Sequence, residues 1–211
     1  MNDIRYGIFL RPDPATCWTI TQVTHALEQQ FGLRAAAVFA PHATLIGNLK
    51  TDVSEAELIA ALDPVFAATR PFPIWNAGVR RTTKGTFEYD INTDATGAVN
   101  QPLNAVAAAV KDVVLPLAVR HSDHMAPNVV DYHFAGHLGL ASFELATDGR
   151  LSDEVGEFIA GLPLAPPPSF TSRWYTLFEL TADDWDGHWW ETQTWRHVTS
   201  WDTAAPAGSG G

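Results

Sequence analysis

The sequence predicts an α+β fold built on antiparallel sheets. Strand-like and helix-like segments are mixed along the chain, and several neighbouring strand-like segments are joined by hairpin-type turns, which favours this class over a doubly wound parallel sheet. The sequence contains no Gly-rich phosphate loop and no linker between independent domains. We therefore expect one domain over residues 1–200, followed by a flexible Ala/Pro/Gly/Ser-rich tail over residues 201–211.

The first strand and the first helix are predicted by apolar patterning and by capping residues. Residues 6–10 form an apolar, strand-like segment. Asp13 and Pro14 then have the positions of an N-cap and a first-turn proline. Apolar residues recur on one helical face as far as Gly32, a typical helix end. A second strand is expected to end at about Leu49.

The second helix is predicted by a capping box, because Ser54 and Glu57 stand three residues apart before an apolar helical pattern. Arg80, Arg81 and Lys84 are interpreted as part of a solvated turn. Periodicity and turn residues assign the remaining elements. We expect strands at 72–79 and 85–91 joined by the turn 80–84, a helix at 102–117, a strand at 132–145, a helix at 152–162, and closing strands at 173–180 and 189–198.

Two short segments each begin an alternating apolar run with a histidine. They are PHATL at residues 41–45 and GHLGLA at residues 136–141. Because residues i and i+2 of a strand point to one face, His42 shares a face with Thr44, and His137 shares a face with Gly139. Two such strands facing a common cleft present two imidazoles to one substrate. A pair of imidazoles can supply a general base and a general acid near neutral pH.

The segments after the two histidines are similar to each other. Residues 49–52 and 145–148 both read Leu-x-Thr-Asp, and helix-like segments follow at 57–62 and 157–162. This self-similarity predicts one strand–turn–helix unit used twice, with a β-bulge absorbing the one-residue difference in spacing. The alternative interpretation is that the two segments are similar only because all strand–helix units are somewhat alike.

The two histidine motifs resemble those of the 2H phosphoesterase superfamily, which includes the 2′-5′ RNA ligase-like and cyclic nucleotide phosphodiesterases. The resemblance covers roughly residues 4–198. It implies a two-lobed, duplicated fold with antiparallel sheets flanking a central cleft and helices outside. It also implies a phosphodiesterase acting on a 2′,3′-cyclic phosphate or a related small nucleotide, with His42 and His137 as catalytic residues, Thr44 as a phosphate contact, and no metal or other cofactor.

The second motif departs from the pattern, because Gly139 stands where the family has Thr or Ser. The missing contact must be replaced by a backbone N–H, or its space must admit a bulkier substrate. The resemblance and the neighbouring sequence suggest further substrate contacts. These candidates are Tyr6, Arg11, Arg120, Tyr132, His133 and Trp174.

Composition excludes some functions. The net charge is −11 with only three lysines, whereas proteins that bind long nucleic acids are usually basic. We therefore expect a small nucleotide or cyclic-phosphate substrate. Cys17 is the only cysteine, so neither an internal disulfide nor a zinc–thiolate cluster is expected. No apolar stretch is long enough to span a bilayer and no signal peptide is recognised, which predicts no membrane partner and a cytoplasmic location.

Two alternative interpretations remain at this point. His121 and His124, with His133 and His137 nearby, suggest a metal cluster, although their spacing matches no standard zinc pattern. A second alternative is a non-catalytic nucleotide or small-ligand binding protein with a degenerate second motif. The eight tryptophans, several of them near the C-terminus, predict an aromatic cluster or an apolar pocket.

Overall fold

A computed structural model describes residues 3–119 and 134–204 and confirms the α+β class. The strands are β1 (Arg5–Arg11), β2 (Ala43–Leu49), β3 (Phe72–Trp75), β4 (Val79–Arg81), β5 (Phe87–Asp90), β6 (His137–Ala141), β7 (Ser169–Ser172), β8 (Trp174–Thr181) and β9 (Thr194–Asp202). The α-helices are α1 (Pro14–Phe31), α2 (Glu55–Ala68), α3 (Gln101–Val114), α4 (Phe143–Thr147) and α5 (Ser152–Gly161).

The strands form three sheets in which every described pairing is antiparallel. Four strands lie in the order β2-β1-β8-β9, three in the order β4-β5-β6, and β3 pairs with β7. The two predicted histidine strands therefore belong to different sheets, β2 to the four-stranded sheet and β6 to the three-stranded one. This arrangement confirms the expected two-lobed fold.

Helix α1 forms where its capping residues predict it. The Asp13 carboxylate accepts a hydrogen bond from the Thr16 N–H at 2.9 Å, and Pro14 is the first helical residue. Gly32 ends the helix in the left-handed conformation, with φ 71°, which costs glycine little because it has no Cβ. The helix buries Ile20, Val23 and Leu27 and other residues of the same face.

Helix α2 begins with the predicted capping box and packs on the four-stranded sheet. The Ser54 Oγ accepts from the Glu57 N–H, and the Glu57 carboxylate accepts from the Ser54 N–H at 2.8 Å. Phe66, on the buried face, stacks on Tyr175 with 4.7 Å between ring centroids and contacts Trp201 at 4.6 Å. These contacts fix the helix against β8 and β9.

Two helices pack against the half of the fold to which their preceding strands do not belong. Helix α1 follows β1 but contacts β6 and α5, with Phe31 and Phe158 edge to face at 5.2 Å. Helix α3 follows β5 but contacts α2 and β2. A single hydrophobic cluster consequently runs through both halves, and β2 and β6 contact each other across it.

A second cluster near the C-terminus contains most of the late tryptophans. Trp185, Trp189 and Trp190 are buried, and Phe39 and Trp195 pack against them. The sequence predicted either an aromatic cluster or an apolar pocket here, and the structure shows the cluster. Trp201 is an exception, because it packs in the main core and donates to Asp63 at 2.8 Å.

Two predicted strands have different bounds in the structure. The strand expected at 72–79 is interrupted, because Gly78 has φ 103°; β3 instead pairs with β7, and the hairpin of β4 and β5 starts only at Val79. The strand expected at 189–198 starts at Thr194, because Trp189 and Trp190 lie in a 3₁₀ turn of the aromatic cluster. Its last residue, Asp202, lies beyond the tail boundary predicted at residue 200.

The second histidine strand is shorter than predicted. β6 ends at Ala141, and the chain turns into α4 because the Glu144 carboxylate accepts from the Arg34 and Ala35 N–H groups, each at 2.6 Å. The second Leu-x-Thr-Asp segment therefore lies in α4 up to its last residue, whereas the first begins at the last residue of β2. Both histidine strands show a register shift in their pairing, and the matching helix α5 is present. None of the helices in the described ranges is long and apolar enough to cross a membrane.

Replacing Ser54 tests the capping box. Ser54→Ala removes the side-chain acceptor of the helix N-terminus and should lower the free energy of unfolding by about 1 kcal/mol. Urea denaturation measures the difference. Ser142→Ala is the matched control, because Ser142 precedes α4 without a side-chain capping bond. Equal losses in the two variants would contradict the assignment.

Candidate active site

The two motif histidines are anchored in the same way. His42 immediately precedes β2, and His137 is the first residue of β6. In each ring Nδ1 lies 2.8 Å from the carbonyl oxygen two residues earlier, that of Ala40 or of Ala135. Since a carbonyl oxygen only accepts, each Nδ1 carries a hydrogen. Each Nε2 is therefore the nitrogen available for proton exchange with a ligand.

His42 lies among aromatic rings. The ring of Phe9 is 4.1 Å from that of His42, and the ring of Phe39 is 5.3 Å away. Burial disfavours the charged imidazolium and lowers the pKa of His42 to about 4. Repulsion by His137 lowers this pKa further, whereas the hydrogen bond to Ala40 opposes the shift. His42 is therefore neutral at neutral pH, with its Nε2 lone pair free to accept a proton.

The absence of a side chain at Gly7 gives the Phe9 ring room to lie beside His42. Gly7 and Phe9 share a face of β1, and a Cβ placed on Gly7 would lie 2.2 Å from the Phe9 Cζ. The phenyl ring thus lies directly over the backbone of Gly7. Phe9 pairs with Thr44 in the sheet, so the Thr44 side chain shares the face that carries the ring. His42, Phe9 and Thr44 form one side of the site.

His137 has a charged environment. Its Nε2 lies 3.8 Å from the Glu88 Oε2, and Glu88 is largely buried. Glu88 also accepts from the Arg80 guanidinium, including a 3.0 Å bond from Nε. Glu88 pairs across the strands with both Arg80 and Gly139, so these residues form one row on the face of His137. A Cβ added at Gly139 would meet no other atom within 4 Å, and the glycine leaves open space.

Arg11 and Trp174 lie farther along the face that carries Phe9. They pair in register, and the Arg11 guanidinium lies 5.0 Å from the Trp174 ring centroid. The Arg173 guanidinium lies at 5.1 Å from the same ring. All three residues line a cavity of about 630 Å³ whose lining includes neither His42 nor His137. The contact of Arg11 and Trp174 with a substrate stays a prediction.

Tyr6 does not join the site. The register of β1 with β8 gives Tyr6 and Ile8 one face and Phe9 the other. Tyr6 packs against the main core on the helix-covered side, and burial raises its pKa. The strand alternation turns the Tyr6 side chain to the face opposite Phe9, so the structure does not bring this predicted substrate contact to the side of the site that carries His42.

Several candidates lie outside the described residues. They are Arg120, Tyr132 and His133, together with His121 and His124 of the alternative metal cluster. Within residues 3–119 and 134–204, no group of three or more His, Cys, Asp or Glu side chains is arranged to hold a metal ion.

Sequence reasoning missed the charged partners of His137. Arg80 and Arg81 belong to β4 and not to the turn, and Arg80 binds Glu88. Residues 86–90 read TFEYD, in which Glu88 and Asp90 alternate with buried aromatic residues. This alternation places both carboxylates on one face, and it was the available signal.

Comparison with solved structures identifies the fold. Escherichia coli LigT complexed with 3′-AMP is similar over 94% of this chain and 97% of its own, with 16% identity and a TM-score of 0.53. A structure described as a phosphoesterase gives 15% identity, the same coverage and a TM-score of 0.55. The protein TT0787 of Thermus thermophilus gives 14% identity, coverage of 97% and 98%, and a TM-score of 0.53.

The chain has the LigT fold. The two-lobed α+β fold that the predicted resemblance implied is thereby confirmed. Neither a comparison with protein-family models nor a search of curated proteins finds a match. The similarity extends over nearly the whole chain, and it agrees with the α+β class with antiparallel sheets that the sequence predicted.

Removing Phe39 tests the environment of His42. Phe39→Ala exposes the imidazole ring of His42 to water. The pKa of His42 should then rise from about 4 toward its ordinary value, because hydration favours the charged form. Histidine NMR signals followed against pH measure the shift. Phe143→Ala is the control, because Phe143 contacts Trp189 as Phe39 does but is not in ring contact with His42. An unchanged His42 titration in Phe39→Ala would show that burial by this ring is not the cause.

Proposed function

We propose that the protein is a metal-independent phosphodiesterase that hydrolyses a 2′,3′-cyclic phosphate or a related small nucleotide phosphodiester. One observation carries the proposal. Two imidazoles, at the starts of contacting strands of two sheets, are each anchored through Nδ1 with Nε2 available. This pairing suits a reaction that must remove one proton and supply another at the same phosphorus.

The reaction needs two proton transfers. Water attacks phosphorus and forms a new P–O bond, and its proton passes to the Nε2 of one imidazole. The bond from phosphorus to a ribose oxygen breaks, and the second imidazole protonates that oxygen. The product is a phosphomonoester, a 2′-phosphate by analogy with the 2H enzymes. The Thr44 hydroxyl, on the face of Phe9, is the candidate donor to a non-bridging oxygen in the transition state.

A small nucleotide substrate agrees with the charge of the chain. A net charge of −11 disfavours a long phosphate backbone. LigT, which shares the fold, has been crystallised with 3′-AMP and with ATP. The aromatic side of the site offers apolar surface next to His42, which suits the sugar or base of a nucleotide.

Substituting each histidine tests the proposal. His42→Ala and His137→Ala should each lower kcat on 2′,3′-cyclic AMP or another member of a cyclic-phosphate panel by about 10²–10⁴-fold. The assay is run in EDTA, which should leave wild-type turnover unchanged. His25→Ala, at an exposed position on α1, should keep full activity. A folded wild-type protein that binds these nucleotides without turnover would instead favour the binding-protein alternative.

Thr44 separates phosphate stabilisation from proton transfer. Thr44→Val removes the hydroxyl and keeps the shape, and it should lower kcat by about 10²-fold, the lower end for loss of one oxyanion donor. Thr44→Ser keeps the hydroxyl and should stay within a few-fold of wild type. Steady-state kinetics on the substrate found above provide both values. Equal activity of the Val and Ser variants would exclude Thr44 as the donor.

A further inference from the structure

The two halves of the site differ in charge, and the difference lies in the strands beside His137. Glu88 and Asp90 lie on the same face of β5, opposite Gly139 and His137 respectively. Arg80 of β4 binds Glu88 and also lies 3.8 Å from the Asp90 carboxylate. Among the described residues facing His137, these three groups therefore sum to one negative charge. A proton on His137 brings the cluster to neutrality.

Glu88 is placed to act on the reactive nitrogen of His137. Its Oε2 lies 3.8 Å from Nε2, whereas Nδ1 is already bound to the Ala135 carbonyl. Arg80 holds the other carboxylate oxygen, Oε1, so Oε2 remains directed to the ring. An opposite charge within about 4–6 Å favours the protonated imidazole.

His42 has the opposite surroundings. Two phenyl rings flank it, and within the described ranges no carboxylate forms an ion pair with it. The charge of His137 also disfavours a second charge on His42. Of the two rings, His137 is therefore the one whose neighbouring charges favour the protonated form.

We propose that Glu88 is a positioning residue that keeps the proton on His137 Nε2, so that His137 is the proton donor and His42 the proton acceptor. The donor and acceptor roles rest on the proposed function, whereas the charge on His137 does not. In the reaction, the water oxygen bonds to phosphorus as its proton passes to His42 Nε2, the phosphorus–ribose oxygen bond breaks, and the His137 proton moves to the departing oxygen.

The first test needs no activity. Glu88→Gln removes the charge but keeps an oxygen that accepts from Arg80. The pH at which the His137 ring gains its proton, followed by histidine NMR, should fall, because the opposite charge that favours the protonated ring is gone. Asp153→Asn is the matched control, because Asp153 pairs with Arg81 of the same strand, and it should leave the midpoint unchanged. A His137 midpoint that is the same in Glu88→Gln and wild type would overturn the role of Glu88.

The second test assigns the roles. A cyclic-phosphate analogue with sulfur in place of the departing ribose oxygen needs little protonation, because a thiolate is a good leaving group. On this analogue the defect of His137→Ala should shrink to about tenfold, from the 10²–10⁴-fold typical of general acid catalysis, whereas His42→Ala should keep its full defect.

Rescue of His42→Ala instead would overturn the assignment. Absence of turnover by the wild-type protein on any cyclic phosphate would reject the proposed function and, with it, the donor and acceptor roles. The NMR midpoint would still decide whether Glu88 holds the charge on His137. The two failures are therefore distinguishable.

Discussion

The continuous core between the two halves is the constraint on which the site depends. Helix α1 packs on β6 and α5, and α3 packs on β2 and α2, so each half is completed by a helix that follows a strand of the other. The four-stranded and the three-stranded sheet each bury an apolar face against elements of the other half. The contact of β2 with β6 follows from this exchange, and with it the placement of His42 and His137 on adjoining strands.

The two histidines have equivalent anchoring but different surroundings. Both rings bind a carbonyl two residues earlier, so local geometry alone would make them alike. The difference arises from neighbouring strands. Phe9 of β1 and Phe39 remove water from His42, whereas β4 and β5 bring charged groups to His137. Similar anchoring thus provides an unsymmetric pair, which acid and base catalysis on one bond would require under the proposed function.

The sequence predicted the features whose causes are local. The cap at Asp13, the turn at Gly32 and the capping box of Ser54 and Glu57 act within a few residues, so their patterns are visible in a short window. The two histidine motifs are equally local. The fold class followed from the order of such segments, and a family resemblance supplied the two lobes.

Features that depend on distant pairing were beyond this reasoning. The pairing of Phe72–Trp75 with Ser169–Ser172 joins segments about a hundred residues apart, and no local pattern specifies it. The same holds for Glu88, whose importance appears only when β5 lies beside β6. The face of Tyr6 was not predictable either, because alternation along one strand does not say which face meets the cleft until the neighbouring helices are known.

The departure of the second motif and the charge beside it belong to one electrostatic balance. A phosphodiester is an anion, and a carboxylate near its site repels it unless other charges compensate. With His137 neutral, the described cluster of Glu88, Asp90 and Arg80 carries one net negative charge; with His137 protonated, it carries none. Under the proposed function, substrate binding would therefore select the protonated ring, which is the state that can donate to the leaving oxygen.

A hydroxyl at position 139 would face the Glu88 carboxylate across the strands and would donate to it as readily as to phosphate. Under the proposed function, glycine leaves a protonated His137 as the donor on that side, and its charge would take the place of the missing hydroxyl.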